Sequence, residues 1–173
     1  MDPMRTDQDI MNRDEDAAPV DMLASLFEAR GWAYEFVSDD EITGEVQGAW
    51  ASYQLQAIWR PEDHVLQILC LPDIRMTDEK RAAMFEVLAL INEQLWLGHF
   101  ELWAASGLAL YRNATLLEGD DESVLSLDQA ETLIETAIDE CERFYPVFQF
   151  VLWGNKTPAD AIASALIETR GEA

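Results

Sequence analysis

Positive charge is what this sequence has least of: 11 Lys and Arg stand against 34 Asp and Glu, for a formal net charge of −23. Affinity for nucleic acid comes largely from clustered Lys and Arg on phosphates, so a nucleic-acid partner is not expected. The same deficit argues against docking on an anionic membrane surface. Cysteine is nearly absent too. Cys70 and Cys141 lie far apart and form no CxxC pair, which excludes a disulfide framework and leaves two reduced thiols of the small, buried kind. With only 8 glycines there is no GxGxxG or GxxxxGK[ST] cradle for phosphates. No apolar run approaches the length of a membrane-spanning helix, and the opening "MDPMRTDQDIMNRDEDAAP" lacks the basic-then-apolar order of a secretory leader. A cytoplasmic location is therefore expected.

What the sequence does have is apolar substance. Hydrophobic residues make up 49% of the chain against 26% charged, so the acidity belongs on the surface of a folded protein. Such a surface confers solubility, or attracts a cationic partner over long range. Residues 1–18 are polar and aperiodic and are expected to form a disordered acidic tail, with residues 19–173 as a single domain.

From Pro19 the apolar residues Met22, Leu23, Leu26 and Phe27 recur at helical spacing, and Gly31 supplies the stop. The period then changes to two, placing Trp32, Tyr34 and Phe36 on one side of a strand. "SDDEITGEV" reads as a turn leading into a second strand. In "WASYQLQAIWR" the alternation is clear, with Tyr53, Leu55, Ala57 and Trp59 on one face. "VLQILCL" is apolar on both faces and so belongs at the centre of the sheet, ended by Pro72 and Asp73. A helix follows from Asp78 to a stop at Gly98, capped by Thr77 and striped by Ala83, Met84, Val87, Leu88, Ile91 and Leu95. "HFELWAASGLALYRNATLL" is a hairpin turning at Ala105, Ser106 and Gly107. Ser126 and Gln129 make a capping box for a third long helix, and Thr157 with Pro158 starts a last short one. The order read this way is α-β-β-β-α-β-β-α plus a short C-terminal helix. Strand runs joined by short turns imply an antiparallel sheet with helices mainly on one face, an α+β domain.

Residues for catalysis are hard to find. His64 and His99 have no second His or Cys at zinc-ligand spacing, and the acidic loops lack the Asp/Asn alternation and mid-loop glycine of a calcium loop. The serine of "AASGLAL" sits in a hairpin turn rather than a nucleophile elbow, and Cys141 falls on the apolar stripe of its helix. No metal, no cofactor and no catalytic residue is expected.

The densest aromatic stretch is "CERFYPVFQFVLWG", residues 141–154. Up to Phe144 and Tyr145 the third helix keeps a wet acidic side. Pro146 removes a backbone hydrogen bond and crowds the preceding turn, so the helix is expected to bend or restart there. Beyond it Val147, Phe148, Phe150, Val151, Leu152 and Trp153 point all round the axis, and such a segment must be covered on every side. The sheet takes one face; the last helix, with Ile162, Leu166 and Ile167, or another chain takes the second.

The segments "INEQLWLGHFELWAASGLALYRNATLL" and "LSLDQAETLIETAIDECERFYPVFQFVLWG" resemble the YbjN domain family, described as bacterial sensory transduction regulators. The likeness is carried by Asn92, Leu97-Gly98-His99-Phe100, Gly107, Tyr111-Arg112 and Phe144-Tyr145-Pro146, in that order and spacing. It implies a fold similar to the small, acidic, dimeric class I type III secretion chaperones, and a non-enzymatic role as a regulator or chaperone-like adaptor that binds a protein partner. It brings no reaction, ligand or catalytic residue with it. A homodimer is expected, and Trp50, Trp59, Trp103, Tyr111, Phe150 and Trp153 are the candidate partner or dimer contacts. The alternative is a small-ligand sensor or enzyme with a carboxylate-lined pocket.

Overall fold

In the computed structural model, which describes residues 18–117 and 125–170 with the side chains of 166–170 left aside, period-two segments become strands and period-3.6 segments become helices. The chain runs α1 (Pro19–Arg30), β1 (Ala33–Ser38), β2 (Glu41–Gln47), β3 (Ser52–Arg60), β4 (Val65–Arg75), a 3-10 turn (Asp78–Lys80), α2 (Arg81–Asn92), β5 (His99–Trp103), β6 (Leu108–Leu116), α3 (Leu127–Leu152) and α4 (Pro158–Arg170). The expected tail lies, but for Ala18, outside the described residues.

The six strands form one antiparallel sheet in the order β1-β2-β3-β4-β6-β5, so β4 is internal, as its two apolar faces imply. The α+β class and the placing of the helices agree with the pattern in the sequence. The first strand run holds four strands, one more than the order read from sequence. The extra reversal occurs at residues 48–51, where the Gly48 N–H donates to the Ala51 carbonyl at 2.8 Å. A side chain at Gly48 would collide with the Glu142 carboxylate and the Tyr53 ring, so α3 packs onto that turn directly.

One sheet face carries Ile42, Val46, Tyr53, Leu55, Ala57, Trp59, Leu66, Ile68, Cys70, Ile74, Phe100, Ala109 and Tyr111, all buried beneath α1, α2 and α3. Among the described residues no helix packs on the other face. It reads Glu35, Thr43, Glu45, Gln54 and Gln56 toward β1, and Leu69, Leu71, Leu110, Trp103 and Arg112 toward β5.

Four local expectations are corrected. Pro72 and Asp73 do not end the sheet: β4 continues to Arg75 through an irregularity between Cys70 and Ile74, with Asp73 at φ 53°. Such an irregularity is how a strand accommodates a proline that cannot donate to the ladder. The second helix stops at Asn92 rather than Gly98, and the Thr77 side chain makes no capping bond. Finally, α3 runs unbroken through Pro146. An interior proline costs about 3 kcal/mol, yet Phe144, Val147, Phe148 and Val151 are all buried, and each such side chain returns roughly 1.5–3 kcal/mol.

α4 packs on α2 and α3 through buried Ala161, Ile162 and Ala165; Val147, Phe148, Val151 and Leu152 are buried, whereas Trp153, expected to be covered, stays exposed. Of the caps read from sequence at the two C-terminal helices, Ser126 Oγ accepts from the Gln129 N–H at 3.1 Å, which is one half of the expected capping box, and Thr157 Oγ1 accepts from the Asp160 N–H at 3.3 Å. Gly31 ends α1 at φ 71°.

Candidate protein-binding surface

The residues that carry the family resemblance lie apart in sequence but meet around the β5–β6 hairpin and the loop that leads into it. Asn92, the last residue of α2, turns its side chain onto Phe100. Its Oδ1 accepts the Phe100 N–H at 2.8 Å and its Nδ2 donates to the Phe100 carbonyl at 3.0 Å. One amide thus pairs both backbone groups of a β5 residue, as a neighbouring strand would, and closes the intervening loop.

That loop is fixed from within as well. The Tyr111 hydroxyl donates to the Leu97 carbonyl at 2.7 Å, and Gly98, at φ 70°, has no room for a Cβ against the same hydroxyl. Burial raises the Tyr111 hydroxyl well above its ordinary pKa, and the nearby Glu140 carboxylate adds to the effect, so it stays a donor. Beneath lies an aromatic cluster: Phe100 meets Tyr111 at 5.5 Å, Phe144 at 5.9 Å and Phe148 at 5.5 Å between ring centres. Arg143 of α3 reaches Gln94 in the loop at 3.5 Å.

On this anchored loop stands Trp96, 99% exposed, beside half-exposed Leu97. A large indole held in water with its neighbours fixed presents hydrophobic area whose ordering cost on binding is already reduced. Sequence reasoning missed Trp96 because the helical stripe was extended through Leu95 to Gly98. The available signal was its place off that stripe.

The helix-free side of the hairpin carries a charged cluster. Glu101 accepts from the Trp103 indole N–H at 3.1 Å, meets His99 at 3.3 Å and pairs with Arg112. Burial alone would raise the Glu101 pKa, but the bonds from Trp103, His99 and Arg112 outweigh it and hold the carboxyl below its ordinary value.

The sequence-chosen contacts divide. Trp59 and Tyr111 are buried in the core, so they build the fold instead of offering surface. Trp103 is half-buried and tied to Glu101. Phe150 is half-buried, with the Lys156 ammonium 4.3 Å from its ring centre in the turn to α4. Trp50 and Trp153 are 51% and 63% exposed. Trp50 follows Ala49, whose N–H donates to Glu142 at 3.0 Å.

On the helix-free sheet face a shallow concavity of about 550 Å³ is lined by Glu35, Glu45, Asp73, Arg75, Thr43 and Gln54 among others, with Arg75 3.5 Å from Asp73. Among the described residues no group of three or more His, Cys, Asp or Glu is placed to hold a metal ion, and no helix is long and apolar enough to cross a membrane.

A family model described as "Putative bacterial sensory transduction regulator" matches residues 19–150. Among solved structures the chain is similar to the E. coli protein described as "YbjN, a putative transcription regulator". The TM-score is 0.51 at 8% identity, over 80% of this chain and 93% of that one, a likeness of fold. No protein with a curated description matches the chain.

Proposed function

The chain belongs to the YbjN family, and from that premise we propose that it is a regulatory protein that acts by holding a protein partner, without catalysis, through the loop bearing Trp96 and Leu97. The observation that carries this reading is Trp96 itself, fully exposed between two anchors. Tryptophan is the residue most enriched among the few that dominate binding energy at protein interfaces. Four of the residues that carry the resemblance hold this loop: Asn92 and Phe100 close it, and Gly98 and Tyr111 fix its last turn.

The charge of the chain favours a protein over a nucleic acid as the object of regulation, since 34 carboxylates repel phosphate. Affinity capture tests the reading with wild-type chain and a Trp96→Ser variant on parallel supports. A partner retained by the wild type and lost by the variant supports it. Equal recovery from both, or none from either, opposes it.

A second reading rests on the concavity of the open sheet face: a sensor of a small cationic ligand, held by Glu35, Glu45 and Asp73. Its test is a Glu35→Gln, Glu45→Gln double variant, which would lose the response to such a ligand while keeping partner capture.

A further inference from the structure

At the opposite end of the sheet from the hairpin, β1 is an edge strand with every residue exposed. Among the described residues nothing pairs with its outer side. Alternate backbone N–H and C=O groups along such an edge are open to another strand. Edge strands are protected by charged side chains, proline, bulges or a covering element; "AYEFVS" has no lysine or proline, no described residue covers it, and its irregularity falls between Phe36 and Ser38, so residues 33–36 keep a regular edge.

Its two sides differ in chemistry. Toward the helices, Tyr34 and Phe36 stand edge to face at 6.2 Å, and Tyr34 continues to Phe27 of α1 at 6.4 Å, which in turn meets Trp32 at 5.8 Å. Phe36 remains 45% exposed on this aromatic ledge. Toward the open face stand Glu35 and, one strand in, Glu45 beside the small Ala33. Residues 33–47 hold five carboxylates and no Lys, Arg or His. Arg30, near the start of β1, is engaged by Glu135 at 2.6 Å and Glu131 at 3.8 Å, and Arg75 on the concavity stands 3.5 Å from Asp73.

We propose that the β1 edge takes an extended segment of another protein in which apolar and basic residues alternate, added as a seventh strand. Its apolar side chains lie on Tyr34 and Phe36. Its Lys or Arg side chains face Glu35, Glu45 and the acidic concavity behind them. The period of two in a strand puts both requirements on one peptide. Charge chooses this occupant over a second copy, because pairing two β1 edges would bring together two hairpins of carboxylates with no cation among them. The surface is separate from the Trp96 loop, and either assignment stands without the other.

The test uses the full chain and an end-blocked fluorescent peptide of alternating valine and lysine, as long as β1, read by anisotropy. Saturable binding is expected, weakened about tenfold or more between low salt and roughly 0.5 M salt. A peptide of the same composition with its valines and lysines in separate blocks, one with glutamate for lysine, and one N-methylated at alternate amides on each edge in turn should bind at least tenfold more weakly, the methylated pair on one edge only. Tyr34→Ser with Phe36→Ser should abolish binding while far-ultraviolet circular dichroism and thermal midpoint stay near wild type; Trp96→Ser should leave binding unchanged. Should that double variant unfold, Glu35→Lys with Glu45→Lys serves in its place, and it should reverse the preference toward the glutamate peptide. Equal binding of the blocked peptide, or no loss on methylating either edge, would reduce the effect to diffuse charge and overturn the proposal. So would a homodimer at micromolar concentration that the Tyr34→Ser, Phe36→Ser variant dissolves.

Discussion

Gly98 and Tyr111 share one small volume: the tyrosine hydroxyl fills the space that a Cβ at residue 98 would need, and the backbone there sits at φ 70°, where side chains are strained. A Gly98→Ala variant should lose about 1–3 kcal/mol from the two effects together. Tyr111→Phe should lose about 1–2 kcal/mol by leaving the Leu97 carbonyl without its donor. Urea titration of both variants checks the ordering.

Asn92 substitutes for a strand on Phe100, so Asn92→Ala leaves two backbone groups of β5 without partners. The expected cost is about 2–4 kcal/mol, with Asn92→Asp between wild type and alanine because it keeps the acceptor and loses the donor. Chemical denaturation reads the stability. Hydrogen exchange should show faster loss of protection at Phe100 than at β3.

Glu101 is held below its ordinary pKa in the fold, so its contribution is full above the unfolded carboxylate range and is lost as pH falls through the lowered folded value. Glu101→Gln should therefore flatten the acid limb of the stability curve while having its main effect on midpoint near neutral pH. Thermal melts of wild type and variant across the acid range should converge as pH drops. Parallel curves would remove Glu101 from this role.

Cys70 and Cys141 are both buried, with Cys141 Sγ 3.9 Å from the Cys70 carbonyl, and burial pushes the Cys141 thiol well up. Neither should react with a thiol reagent in the native state on the timescale of minutes, and both should react on denaturation. Rapid native labelling of either would show that α3 lifts from β4.

Much of this was legible in the sequence where one rule acted alone. The alternation of Tyr53, Leu55, Ala57 and Trp59 defined the buried face of β3, and Gly31 and Gly107 stand at positive φ where a stop and a turn were read. It failed where tertiary packing overrode a local signal. Pro146 reads as a break, but burial on both sides keeps α3 whole; Pro72 reads as a strand end, but a local irregularity lets β4 pass it. Of the six chosen contacts, Trp59 and Tyr111 went inside because alternation assigns a face without saying which side is covered. Trp96 was hidden because apolar spacing continues to Leu95 while α2 ends at Asn92, whose side chain bonds Phe100 eight residues on.

Whether Trp96 makes the partner contact is read from the affinity of a captured partner for Trp96→Ser against Trp153→Ser, since both indoles are exposed and neither supports the core. The dissociation constant should rise about 30-fold or more for Trp96→Ser, a loss of about 2 kcal/mol, with Trp153→Ser unchanged. Equal affinities for wild type and Trp96→Ser would contradict that contact.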